Sequence, residues 1–123
     1  MRRIGFAAVI ALLASLTGLT APDLAAQQKG DPAAAAAVYK ARCVTCHGAA
    51  GAGDGPAGQK LKDKPKDWTK GEGLKGLTDQ QVFDAIKKGG PAIGRAKTML
   101  AFPNLSETDV WNLVAYIKTL AKS

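Results

Sequence analysis

The stretch Cys43-Val44-Thr45-Cys46-His47, followed by Gly48, constrains this chain more than any other. Two cysteines three positions apart fall on one face of a helical turn. Both thiols can then add to the vinyl groups of one porphyrin, and the adjacent imidazole can turn under the ring and ligate iron. That is the spacing of a c-type haem attachment site. The other uses of such cysteines fail on inventory. The chain holds 2 Cys and 1 His, fewer than the four ligands of a structural zinc site. A thioredoxin-like C-x-x-C needs a βαβ setting, and no strand pattern flanks the motif. A disulfide between residues three apart leaves His47 without a role. The expectation is one haem c, held by thioethers to Cys43 and Cys46, with His47 on the iron. The permanent bonds make the porphyrin part of the core, which a domain of this size needs.

The N-terminus has the layout of a secretory signal peptide. Arg2 and Arg3 form a positive n-region, Ile4 to Leu19 an apolar run, and Ala21 to Ala26 a stretch rich in small residues. The expected organisation is therefore a cleaved segment, 1–26, and a single monohaem domain, 27–123. The apolar run is shorter than the roughly 20 residues of a membrane span, so an uncleaved anchor is the lesser reading. No Cys directly follows the run, which argues against a lipid anchor. Bacteria attach c-type haem outside the inner membrane, so the leader and the C-x-x-C-H motif imply one location, the periplasm. Cleavage removes Arg2, Arg3 and Asp23 and lowers the formal net charge of +7 by one. Two haem propionates would lower it by about two more. A basic exported protein can meet an acidic protein, a lipid surface or nucleic acid, and export argues against nucleic acid.

Local signals mark three helices and no strands. Asp31 is a good N-cap with Pro32 at the first helical position, and Ala33 to Ala37 lead through Val38 and Tyr39 to the cysteines. That alanine run reads as low complexity or, better, as a face for close approach of another helix. Gly48 to Gly58 is a loop by composition. Its G-x-G-x-x-G match at Gly53, Gly55 and Gly58 is spurious as a dinucleotide site, since no strand precedes it and Pro56 lies inside it. A P-loop also fails, because Gln59 stands where lysine belongs. The glycines are expected to let the backbone pass close to a haem edge. Lys60 to Lys70 is a solvated, lysine-rich segment that can also serve in docking. Trp68 within it either plugs the core or donates its N–H to a buried acceptor such as a propionate. Thr78 with Gln81 forms a capping box for a second helix bearing Val82, Phe83 and Ile86, ended by Gly89-Gly90-Pro91. Ser106 and Asp109 start a last helix with an apolar stripe of Val110, Leu113, Val114, Ile117 and Leu120. Lys118 and Lys122 suit the negative end of its dipole.

The second axial position decides what a haem protein does. His47 is the only histidine, so bis-histidine ligation within the chain is excluded. A loop methionine more often packs than ligates. Met99, however, is the only methionine after Met1, sits in a loop bounded by glycine and proline, and lies far downstream of His47. It is the expected sixth ligand. A thioether favours ferrous iron and raises the potential. With both positions filled, no site remains for oxygen or peroxide, which argues against a gas-binding or peroxidase-like protein.

The order of helix, C-x-x-C-H-G, glycine-rich loop, second helix, methionine loop and terminal helix resembles the class I c-type cytochromes, over about residues 31–121. Cys43 to Gly48 and the run from Met99 through Pro103 to Ile117 carry the resemblance. It implies an all-α cytochrome c fold, three main helices wrapped around one covalent haem. It implies that Cys43 and Cys46 hold the haem and that His47 and Met99 are axial ligands. It also implies a near-perpendicular crossing of first and last helices, with Ala35 and Tyr116 at the contact positions. The family usually orients its imidazole through a proline carbonyl, for which Pro56 and Pro65 are both available. Leu100 stands where a proline often follows the methionine. The function implied is electron transport in a respiratory chain by a soluble one-electron carrier, not an enzyme, docking on acidic redox partners. The alternative is a small cytochrome c subunit of a periplasmic dehydrogenase or oxidase complex.

Overall fold

Each long helix starts on a side chain that accepts a backbone N–H the helix itself leaves unpaired. Asp31 accepts from Ala33 at 2.9 Å and opens α1, Pro32–Arg42. Thr78 and Gln81 cap reciprocally, at 3.2 and 2.9 Å, and open α3, Asp79–Lys88. Ser106 accepts from Asp109 at 3.0 Å and opens α4, Glu107–Leu120. Between the first two lies α2, Val44–His47, a single turn that carries Cys46 and His47. Short 3₁₀ turns at Gly58–Lys60, Trp68–Lys70 and Gly90–Ile93 shape the connections. This computed structural model describes residues 29–121 and the isolated Gly18. The leader and its cleavage lie outside the described residues, as does Lys122. Among the described residues there is no strand, and no helix is long and apolar enough to cross a membrane.

The core forms where α1 and α4 meet. Ala35 and Tyr39 from α1 are buried with Val110, Leu113, Val114 and Ile117 from α4. Each such aliphatic side chain contributes about 1.5–3 kcal/mol on burial. The stripe holds except at its end, where Leu120 is half-buried. Ala35 is buried in this contact, and Tyr116 packs against the same cluster. Tyr116 packs on Tyr39, with ring centroids 4.9 Å apart and planes tilted by 47°. The closest backbone approach lies before the helix, at Gly30. A Cβ there would stand 2.1 Å from the Trp111 carbonyl oxygen, and φ is +56°. The Asp31 N–H then donates to Asn112 Oδ1 at 2.7 Å. Chain entry thus joins buried Ala35 of the alanine run in holding α1 on the last helix.

α3 joins the same core through Phe83, whose ring lies 4.6 Å from that of Trp111. At the surface, Lys118 of α4 bridges both carboxylate oxygens of Asp79 at 2.9 and 3.0 Å. Lys118 thus links α4 to the first turn of α3, beyond its favourable place in the last turn of its own helix.

Candidate functional site

The motif turn is held by its own backbone and by its neighbours. The Cys43 N–H donates to the Tyr39 carbonyl at 2.9 Å, so α1 runs almost directly into α2. The buried Tyr39 hydroxyl donates to the Gly48 carbonyl at 2.7 Å, fixing the residue after His47. Tyr39 was legible only as a helix former. Its place four residues before Cys43 and four after Ala35 is the signal that puts all three on one helix face. Burial, with the nearby Cys43, Tyr116 and Asp54, raises the phenol far above its ordinary range.

The glycine-rich loop folds back on the motif. A Cβ at Gly55 would stand 2.4 Å from the Thr45 carbonyl oxygen, and one at Gly58 would stand 2.3 Å from that of Cys46. Gly55 and Gly58 therefore serve close packing on the motif's own backbone. The Ala57 N–H seals the contact by donating to the Thr45 carbonyl at 3.0 Å. Gln59 reaches back with its side-chain amide to the Gly53 carbonyl.

His47 lies in this frame with its ring stacked on Trp68, centroids 4.4 Å apart and planes 20° apart. Trp68 is 7% exposed, and its backbone N–H donates to the Gly51 carbonyl at 2.9 Å. Its burial and its stacking on His47 fit the packing role. Neither Pro56 nor Pro65 meets the imidazole: Nδ1 is buried without a hydrogen-bond partner. The Pro65 carbonyl instead backs Gly53, 2.5 Å from where a Cβ would stand. Desolvation pushes the His47 pKa down to about 4, which keeps the ring neutral, the form that ligates metals. Burial and the neighbouring Cys46 push the Cys43 thiol up to about 11.

Met99 reaches the same region from the other half of the chain. Its N–H donates to the Ala96 carbonyl at 2.8 Å and its carbonyl accepts from Gly90 at 3.1 Å. The Phe102 N–H donates to Ile86 of α3 at 2.9 Å. Lys87 ties the loop's exit by donating to the Pro103 carbonyl at 2.9 Å and to that of Leu105. Asp63, read from sequence only as a charge among lysines, bonds to Lys97 and Thr98.

A cavity of about 940 Å³ joins these parts. Cys43, Cys46, His47 and Met99 all line it, with Val82, Ile86, Phe102 and Ile117 among its apolar walls. Its volume is at the large end of the range for cofactor sites. The donor set fits a haem: two cysteines at thioether spacing, a neutral imidazole with a nitrogen unused by the protein, and a thioether, around an apolar space. Arg42, Lys64, Lys66, Lys70, Lys75, Arg95 and Lys97 also line it, against Asp63 and Glu72, so its rim is basic. Leu100, 77% exposed, is the exposed large hydrophobic residue among those described.

The family model described as cytochrome c oxidase, cbb3-type, subunit III matches residues 30–117 of the chain. No curated protein matches it.

Proposed function

The chain belongs to this family of class I c-type cytochrome domains, and from that membership we propose an exported one-electron carrier built around a single haem. Electron transfer through covalent haem c, with its iron, is the property that comes with the family. The observation that carries the finer reading is the apolar cavity that Cys43, Cys46, His47 and Met99 line together. In this reading Cys43 and Cys46 hold the porphyrin, and His47 and Met99 hold its iron. The bound haem supplies an iron that alternates between ferric and ferrous. The chain's own residues keep that change small in motion. Tyr39 and the glycine loop fix the backbone around His47, Trp68 holds its ring, and the loop bonds fix Met99. With His47 and Met99 both holding the iron, no place for a substrate would remain, which supports a carrier over an enzyme. The leader supports a periplasmic location. The basic rim supports redox partners with acidic docking surfaces.

A second reading is supported by the family's own description: a small cytochrome subunit of an oxidase complex. The native size of the protein in a periplasmic extract separates the two.

The test of the site is Met99→Ala. The mature chain then lacks any other methionine or histidine to replace it. Acid–acetone extraction should leave colour with both proteins. The sulfur-to-iron charge-transfer band of the ferric form should vanish in the variant, the potential should fall, and the ferrous form should bind carbon monoxide at neutral pH. A six-coordinate variant that refuses carbon monoxide would remove Met99 from the iron.

A further inference from the structure

Two segments far apart in the chain are joined at the cavity wall by one residue. Asp63 Oδ2 accepts the Lys97 N–H at 2.9 Å. The main-chain carbonyl of the same Asp63 accepts the Thr98 hydroxyl at 2.6 Å. Lys97 and Thr98 immediately precede Met99, and Asp63, Thr98 and Met99 all line the cavity. On its other side the methionine loop is tied to α3 and its end through Gly90, Ile86 and Lys87. On this side it is tied through Asp63, and through Arg95 to the Lys75 carbonyl at 3.0 Å.

The loop needs such a tie. Ala96 holds φ at +47°, in the left-handed region that a residue with a Cβ adopts at a cost. Gly90 lies so close beneath it that a Cβ there would stand 1.9 Å from the Ala96 carbonyl oxygen. Met99 itself has a flexible, three-bond side chain that brings little order of its own. Leu100, after it, is exposed and lacks the stiffness of a proline. The position of the sulfur therefore depends on the backbone that carries it. Two hydrogen bonds to adjacent residues, one of them to a carboxylate, fix both the path and the rotation of that backbone.

We infer that Asp63 is a positioning residue for Met99, holding the methionine loop against the cavity and so setting how readily the sixth ligand leaves the iron. The inference rests on the reading of Met99 as axial ligand.

The experiment compares the holoprotein with Asp63→Ala, Asp63→Asn and Thr98→Val, and with Met99→Ala as reference. The readouts are the rate at which added imidazole binds the ferric form, the ferric charge-transfer band, the midpoint potential and the denaturant midpoint. In Asp63→Ala the imidazole rate should rise at least tenfold, with a weakened band and a lowered potential. Asp63→Asn keeps an acceptor oxygen and should restore most of the wild-type behaviour. Thr98→Val, the milder change, should raise the rate in the same direction. An imidazole rate in Asp63→Ala and Thr98→Val within twofold of wild type, with Met99→Ala fully open, would overturn the inference. So would a lowered denaturant midpoint with rate and band unchanged, which marks a structural tie alone. If Met99→Ala leaves band and rate as in the wild type, the axial assignment falls and the positioning role falls with it.

Discussion

Tyr39→Phe isolates one atom of the frame around His47. The ring stays, with its contact to Tyr116 at 4.9 Å, so the apolar burial is kept and no cavity opens. What is lost is the hydrogen bond from the hydroxyl to the Gly48 carbonyl at 2.7 Å. A buried acceptor left wholly unpaired costs about 1–3 kcal/mol, whereas a lost bond with a remaining partner costs about 1 kcal/mol. The Gly48 carbonyl also accepts the Gly51 N–H at 3.2 Å, so the lower figure applies. Denaturant unfolding of the holoprotein should show a loss of about 1 kcal/mol, equivalent to roughly 4–8 °C in Tm for a domain of this size. Tyr39→Ala, which also empties the ring site, should lose about 3–5 kcal/mol. The pH dependence gives a second test. The folded phenol titrates well above its unfolded value of about 10, so above that pH the unfolded state releases a proton that the folded state keeps. Stability of the wild type should then fall by about 1.4 kcal/mol per pH unit more steeply than that of Tyr39→Phe. A loss under about 0.5 kcal/mol in Tyr39→Phe, with parallel pH curves, would refute the role given to this hydroxyl.

Gly58→Ala places a Cβ 2.3 Å from the Cys46 carbonyl oxygen; the yield of covalently loaded protein should drop and stability should fall by about 1–3 kcal/mol, read from denaturation of the fraction recovered. Lys118→Ala should lose no more than about 1 kcal/mol, since both partners of its bridge to Asp79 are about half exposed, and a double-mutant cycle with Asp79→Asn measures the coupling. With a small acidic redox protein as partner, the bimolecular electron-transfer rate should fall as salt rises, because charges beyond about 8 Å are screened at physiological ionic strength; a flat or rising dependence would remove the basic rim from docking.

The parts legible in the sequence are those whose physics is local. Asp31, the Thr78–Gln81 box and Ser106 bond to amides within three residues, so the sequence determines each helix start without reference to the rest of the chain. The cysteine spacing is likewise local, and it named the cofactor class that the family match bears out. The proposal of Met99 as second ligand came by inventory, because ligand chemistry leaves few choices in a chain with one histidine.

Tertiary structure decided what each local signal is used for. The glycines of the loop are distinguished by the carbonyls of Thr45 and Cys46 that they lie against, and composition carries no record of that neighbour. The stacking of Trp68 on His47, with centroids 4.4 Å apart, arises only once the chain folds. Asp63 sits among lysines and reads as a solvated charge, yet its partners lie 34 and 35 positions away. Lys118 meets Asp79 across 39 positions. Such bonds depend on the angle and separation at which whole helices pack. Those are set by the summed burial of α1, α3 and α4, so no local stretch of sequence specifies them.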